Sequence, residues 1–167
     1  NKKLIHYIHK NMSFIKNNHH IIGMVIPTYH SHNNIKKLSF KIKNHLSNAN
    51  YFICFVDGSK NNQTIYEIRK YFDKKKYTVI KEKKKKTFLN LSTRCSASKT
   101  GFIWLIKNKN CSVIVDLDSD LAHDPKDILK GSSKIINSNY DLVIASKYNQ
   151  YSRVDNRKII RKIVSGF

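Results

Sequence analysis

Acid is scarce in this chain. Eleven Asp and Glu stand against thirty-two Lys and Arg, for a formal net charge of +21. That imbalance implies an anionic partner: nucleic acid, a membrane surface or a phosphorylated substrate. The chain is also broadly rich in Lys, Asn and Ile, so part of the charge is general composition. Cysteine is sparse as well. Cys54, Cys95 and Cys111 are far apart with no C-x-x-C spacing, which argues against a disulfide framework or thiolate metal site and for reduced thiols in a reducing compartment. Cys54 and Cys111 lie in apolar runs and read as core. No stretch reaches eighteen apolar residues, so no membrane-spanning helix is expected within this sequence. Residues 1–20 lack an unbroken apolar core and do not read as a signal peptide. Proline is limited to two residues, and neither an interdomain linker nor an internal repeat is visible. The Gly-rich loops that cradle phosphate in dinucleotide-binding and P-loop proteins are missing too. A phosphate ligand would have to be held by a metal and by cationic side chains.

What is present suits one globular domain. At 167 residues with 40% hydrophobic content, the chain is large enough for a real core. Residues 1–20 read as a polar, basic extension with apolar residues at loosely helical spacing, and His19 and His20 as surface histidines. Residues 21–167 read as the domain. Apolar, β-branched runs predict strands at 21–26, closed by Pro27, then at 51–56, 77–80, 113–115 and 141–146. Apolar residues at helical spacing predict helices over 34–46, 63–72, from a Ser92 or Thr93 cap to 107, and 125–136. A basic amphipathic helix is expected from Asn156 onward. The alternation of strand and helix predicts an α/β fold, a mostly parallel sheet with helices on both faces.

The scarce acid is concentrated. Four of the eleven acidic residues, Asp116, Asp118, Asp120 and Asp124, fall within nine positions in CSVIVDLDSDLAHDP. They follow the apolar run 113–115, at a strand end, where open α/β sheets bind ligands. On strand alternation Asp118 and Asp120 share a face and Ser119 faces away. Two carboxylates so close repel unless a cation sits between them, and hard oxygen donors suit Mg²⁺ or Mn²⁺ completed by substrate phosphates. The plainer reading is an acidic loop with Asp124 capping the helix that starts at Pro125. His123 reads as a loop residue. Two other strand ends are polar as well: Pro27-Thr28-Tyr29 and Asp57-Gly58-Ser59. A parallel sheet places all three on one edge. A stacking aromatic, a carboxylate for base or ribose, and a carboxylate pair for metal-bound diphosphate would together make a nucleotide-sugar site.

The segments VIPTYHSHNNI, FVDGSKNNQT, VIVDLDSDLAHDPKDI and DLVIASKY resemble, in order and spacing, the family 2 glycosyltransferases of GT-A fold, and RKIIRKIVS resembles the basic segment of the polyprenyl-phosphate sugar transferases among them. The resemblance runs from about Gly23 to Phe167. It implies that Pro27 and Tyr29 pack near the nucleotide, that Asp57 binds base or ribose, and that Asp118 and Asp120 form the D-x-D holding Mg²⁺ or Mn²⁺ on the diphosphate. It further implies that Arg161 and Ser165, with Lys147, bind the acceptor phosphate, Arg161 joining the two aspartates as catalytic residues. Arg94 is a weaker candidate. His30, Ser31, Val56 and Lys147 depart from the usual Asn, acidic residue, Asp and Arg. Relatives of this type continue past the position of Phe167, so the domain is expected to be cut short there or completed unusually.

The implied function is metal-dependent, inverting transfer of a sugar from a GDP- or UDP-sugar to a polyprenyl (dolichyl-type) phosphate. The implied location is peripheral, at the cytoplasmic face of a membrane or anchored there by segments outside this chain. Two other classes stay open. A non-catalytic sugar-nucleotide binder would suit the departures. A nucleic-acid-binding module would suit the charge, but not acid gathered at a strand end where phosphate contact needs base.

Overall fold

Short apolar runs form the strands, and the amphipathic segments between them cross over as helices. A computed structural model describes residues 20–82, 94–138 and 140–146. The order is β1 (Ile22–Thr28), α1 (His32–His45), β2 (Tyr51–Asp57), α2 (Gln63–Tyr71), β3 (Tyr77–Lys81), α3 (Arg94–Asn108), β4 (Val113–Asp116) and α4 (Ile128–Asn137). Short 3₁₀ turns at Lys74–Lys76 and Pro125–Asp127 precede β3 and α4. The four strands form one all-parallel sheet in the order β3-β2-β1-β4. This is the α/β, Rossmann-like architecture expected, and it is consistent with GT-A.

Alternation along the strands divides the core in two. On one face Ile22, Met24, Ile26, Ile53 and Phe55 pack against Ile35, Leu38 and Ile42 of α1, Ile68 of α2 and Ile128 of α4. On the other, Val25, Cys54 and Val56 pack against Ala97 and Leu105 of α3. That second contact is close. A Cβ at Gly101 would collide with Cγ1 of Val25, and one at Gly23 would stand 2.8 Å from Cys111 Sγ. The two glycines let α3 lie directly on β1. Burial pushes the Cys54 thiol up to about 12, so it behaves as a small apolar side chain. Cys111 is half-buried rather than sealed in the core.

Several expectations need correction. β1 does not stop at Pro27 but continues to Thr28. β4 pairs with β1 only as far as Val25, so the missing Pro27 N–H removes no bond on that side. Residues 141–146, read as a strand, form no ladder. Leu142 and Ile144 are exposed, and Val143 lies over Gly131 of α4. An apolar run becomes a strand only when another strand pairs with it, and none of the described strands pairs with this one. The helix expected from Pro125 starts as a 3₁₀ turn, with Asp124 accepting from the Lys126 N–H at 3.2 Å. The extension 1–19, including His19, the Ser92 or Thr93 cap and the basic segment from Asn156 lie outside the described residues.

Candidate active site

Strand order reverses between β1 and β4, and ligands of open α/β sheets bind in the crevice at that point. Side chains stitch the three strand ends together there. Thr28 Oγ1 donates to Asp57 Oδ1 at 3.0 Å, the His30 N–H donates to Ser59 Oγ at 2.8 Å, and Ser31 Oγ lies 2.9 Å from Ser119 Oγ. The β1 loop therefore bridges the ends of β2 and β4, as a single site requires. His30 has a φ of 49° and Leu121 a φ of 65°. Asn and His tolerate this left-handed region better than most residues, so His30 can occupy a turn where Asn is usual.

Asp57 ends β2 and is 0% exposed. Besides Thr28, its Oδ1 accepts from Ser59 Oγ at 2.6 Å, and Lys81 Nζ donates to Oδ2 at 2.9 Å. Lys81 also donates to the Asn61 carbonyl at 2.9 Å. The carboxylate is thus paired and hydrogen-bonded on both oxygens, which is what a buried charge requires. Tyr29, by contrast, is 62% exposed; its backbone bonds to Ser31, and its ring lies 4.5 Å from the His30 ring at 76°.

The acidic stretch takes a different form from the one expected. β4 ends at Asp116, so Asp118 and Asp120 lie in the loop beyond it and strand alternation does not relate them. Asp120 Oδ1 accepts from its own loop, from the Ala122 N–H at 2.8 Å. Asp118 Oδ1 accepts from Arg94 Nε at 2.6 Å, while Arg94 Nη2 lies 3.3 Å from Asp116 Oδ2. Ser98, one turn along α3, donates to Asp116 at 3.2 Å. His123 Nδ1 stands 3.3 Å from Asp118 Oδ2 without hydrogen-bond geometry. Burial pushes the Arg94 guanidinium down, but the Asp118 hydrogen bond and the charges of Asp116 and Asp118 outweigh it and raise its pKa. Ser119 turns toward β1 rather than merely away from the aspartates. Asp124 lies apart from this group, paired with Lys41 of α1 at 2.9 Å.

The donors near Asp118 fit a hard cation in kind but not in number. Carboxylate oxygens suit Mg²⁺ or Mn²⁺, yet among the described residues no three His, Cys, Asp or Glu gather as a ligand group. The rest of a shell would come from water and substrate phosphates, as is common for Mg²⁺. Lys147, Arg161 and Ser165 lie outside the described residues. Reading the sequence missed Lys81 and Ser98, named Asp116 among the clustered acids without giving it a role, and gave Ser31 and Ser119 no role in holding the loops together. The one available signal was position: Lys81 ends β3 beside the end of β2 in a parallel sheet.

No protein-family model matches the chain. A dolichol-phosphate mannosyltransferase of Pyrococcus furiosus is 33% identical over 144 residues, covering 86% of this chain and 38% of that protein. Over that span the chain is similar in sequence to a dolichol-phosphate mannosyltransferase. The chain spans well under half the length of that relative. Among the described residues no helix is long and apolar enough to cross a membrane.

Proposed function

We propose that this chain is the nucleotide-sugar-binding, catalytic part of a glycosyltransferase that moves a sugar from a nucleoside diphosphate to a polyprenyl phosphate, with inversion. The observation that carries the proposal is the 33% identity to a dolichol-phosphate mannosyltransferase across 86% of the chain. The stitched strand ends support it, because they gather Tyr29, Asp57 and Asp118 on one edge. In this reading Pro27 and Tyr29 pack near the base. Asp57 serves the base or ribose, either directly or by holding Thr28, Ser59 and Lys81 in place. Asp118 and Asp120 would hold Mg²⁺ or Mn²⁺, which when bound supplies positive charge to the departing diphosphate.

The acceptor phosphate is already anionic and needs little help from a general base. Its main requirement is to be held close to the sugar against like-charge repulsion. Arg161, with Ser165 and Lys147, is assigned that task by family resemblance, a guanidinium being suited to bidentate phosphate contact. The excess of Lys and Arg suits an anionic membrane surface, each basic residue near it contributing about 1 kcal/mol, and a peripheral place on the cytoplasmic face follows from the same reading.

The test is transfer from GDP- and UDP-sugars to a short polyprenyl phosphate, with and without Mn²⁺, in the protein carrying its natural termini. Metal-dependent product supports the reading, and its absence with every donor overturns it. One observation favours a second reading, binding without turnover: Asp57 is buried and already holds the protein's own donors on both oxygens. Nucleotide-dependent thermal stabilisation with no transfer would select that alternative.

A further inference from the structure

Two carboxylates close together require a cation, and here the protein supplies its own. We infer that Arg94 is a built-in counter-ion that occupies the cation position of the acidic loop until a divalent ion displaces it. The inference rests on the reading of Asp118 as a carboxylate of the donor-diphosphate site. Its grounds are geometric. One guanidinium reaches Asp118 through Nε at 2.6 Å and Asp116 through Nη2 at 3.3 Å, so a single side chain neutralises both. Ser98, four residues on and therefore on the same face of α3, also donates to Asp116. That face of α3 is thus turned toward the carboxylates. Gly101 keeps the helix close to β1, which holds Arg94 at the right height.

Arg94 is still about half exposed. It therefore has room to move, unlike Lys81, whose partner Asp57 is sealed. An Mg²⁺ or Mn²⁺ ion approaching Asp118 meets a carboxylate whose Oδ1 is already held by Nε and whose Oδ2 stands 3.3 Å from His123 Nδ1, so it must share that charge with the guanidinium. Divalent ion and guanidinium compete for the same charge, so the free protein binds the ion alone weakly. The donor's diphosphate, by adding ligands, tips the competition toward the ion. Arg94 is on this account a positioning residue that makes metal and nucleotide bind together rather than separately.

The experiment measures binding of Mn²⁺ alone, without nucleotide, by the electron paramagnetic resonance of the free ion, in the full chain and its variants. Arg94→Gln is expected to raise Mn²⁺ affinity by about tenfold or more, the scale for removing a unit charge at contact distance. Arg94→Lys, which keeps the charge but loses the fork, is expected to raise it less. Adding Asp118→Asn to Arg94→Gln is expected to abolish the gain. Circular dichroism on each variant confirms that it is folded. Unchanged Mn²⁺ affinity in folded Arg94→Gln overturns the inference, as does a gain that survives Asp118→Asn. A parallel arm measures stabilisation of the unaltered protein by GDP and UDP with Mn²⁺. Metal-dependent stabilisation there, with no effect of Arg94→Gln, leaves the site reading standing and removes only the counter-ion. A gain in Arg94→Gln with no metal-dependent nucleotide binding supports the counter-ion and removes the site reading.

Discussion

Asp57 and Asp118 both stand at the carboxyl ends of strands that flank β1, and both meet a basic side chain, yet they are held in opposite ways. Asp57 is sealed: Thr28 and Ser59 share one oxygen and Lys81 takes the other. Asp118, in the loop after β4, is 26% exposed and meets Arg94, which is itself about half exposed. A buried carboxylate with all its donors in place belongs to the framework, because releasing any donor leaves an unpaired charge in a low-dielectric interior. A carboxylate at the rim can exchange partners at little cost. The contrast suggests that one strand end sets the shape of the site and the other handles its ligand.

The largest expected effect tests the sealed end. Asp57→Ala would strand Lys81, Thr28 and Ser59 and is expected to cost about 3 kcal/mol of folding stability, the lower end for breaking a buried pair because Lys81 is itself partly exposed. Urea unfolding measures this. If stability is unchanged and only nucleotide affinity falls, Asp57 is a ligand contact and the contrast fails. Next is Lys81→Met, which leaves the carboxylate with its two hydroxyl donors and is expected to cost about 1–2 kcal/mol.

At the open end, Asp118→Asn is expected to change stability by less than about 1 kcal/mol, the range for exposed pairs. It should nevertheless abolish the Mn²⁺-dependent thermal shift given by a nucleoside diphosphate. Equal losses of stability in Asp57→Ala and Asp118→Asn would erase the distinction between the two ends.

The smallest effect concerns Asp124, a third case that at 30% exposure is as open as Asp118. Burial pushes its carboxyl up, but Lys41 and the Lys126 N–H pull it down further, to a net value below the ordinary 3.8. A lowered carboxylate pKa adds stability above the ordinary value and loses it as pH falls through the folded value. Asp124→Asn is therefore expected to cost about 0.5–1 kcal/mol at neutral pH. The difference from the unaltered protein should shrink below about pH 4. A gap that stays constant with pH would show that the Lys41 pair contributes nothing.

The sheet was legible because burial on both faces demands continuous apolar runs, and residues 22–26, 51–56 and 113–115 are such runs. The same rule misled at residues 141–146, which pair with none of the described strands. Bringing Pro27-Thr28-Tyr29, Asp57-Gly58-Ser59 and the acidic loop to one edge also followed from parallel order alone. The partners of the carboxylates did not. Lys81 and Arg94 have long, rotatable side chains, so their ends are placed by packing far along the chain rather than by local spacing. The Ser31–Ser119 contact spans eighty-eight positions, and nothing in either segment announces it. Alternation failed for Asp118 and Asp120 because β4 ends at Asp116, and helix and strand ends are the least legible part of any pattern.

The bare Cα of Gly101 against Val25 makes α3 a lever. The contact is its fulcrum, and Arg94 sits seven residues away, about 10 Å along the axis at 1.5 Å per residue. Anything that lifts the helix at the fulcrum tilts its tip, and the tip carries the guanidinium that meets Asp118. Gly101→Ala should therefore act at a distance. A single methyl group, placed in the core on the far side of β1 from α1, would loosen an ion pair at the rim that it never touches. A smaller residue at position 25 should set the lever back.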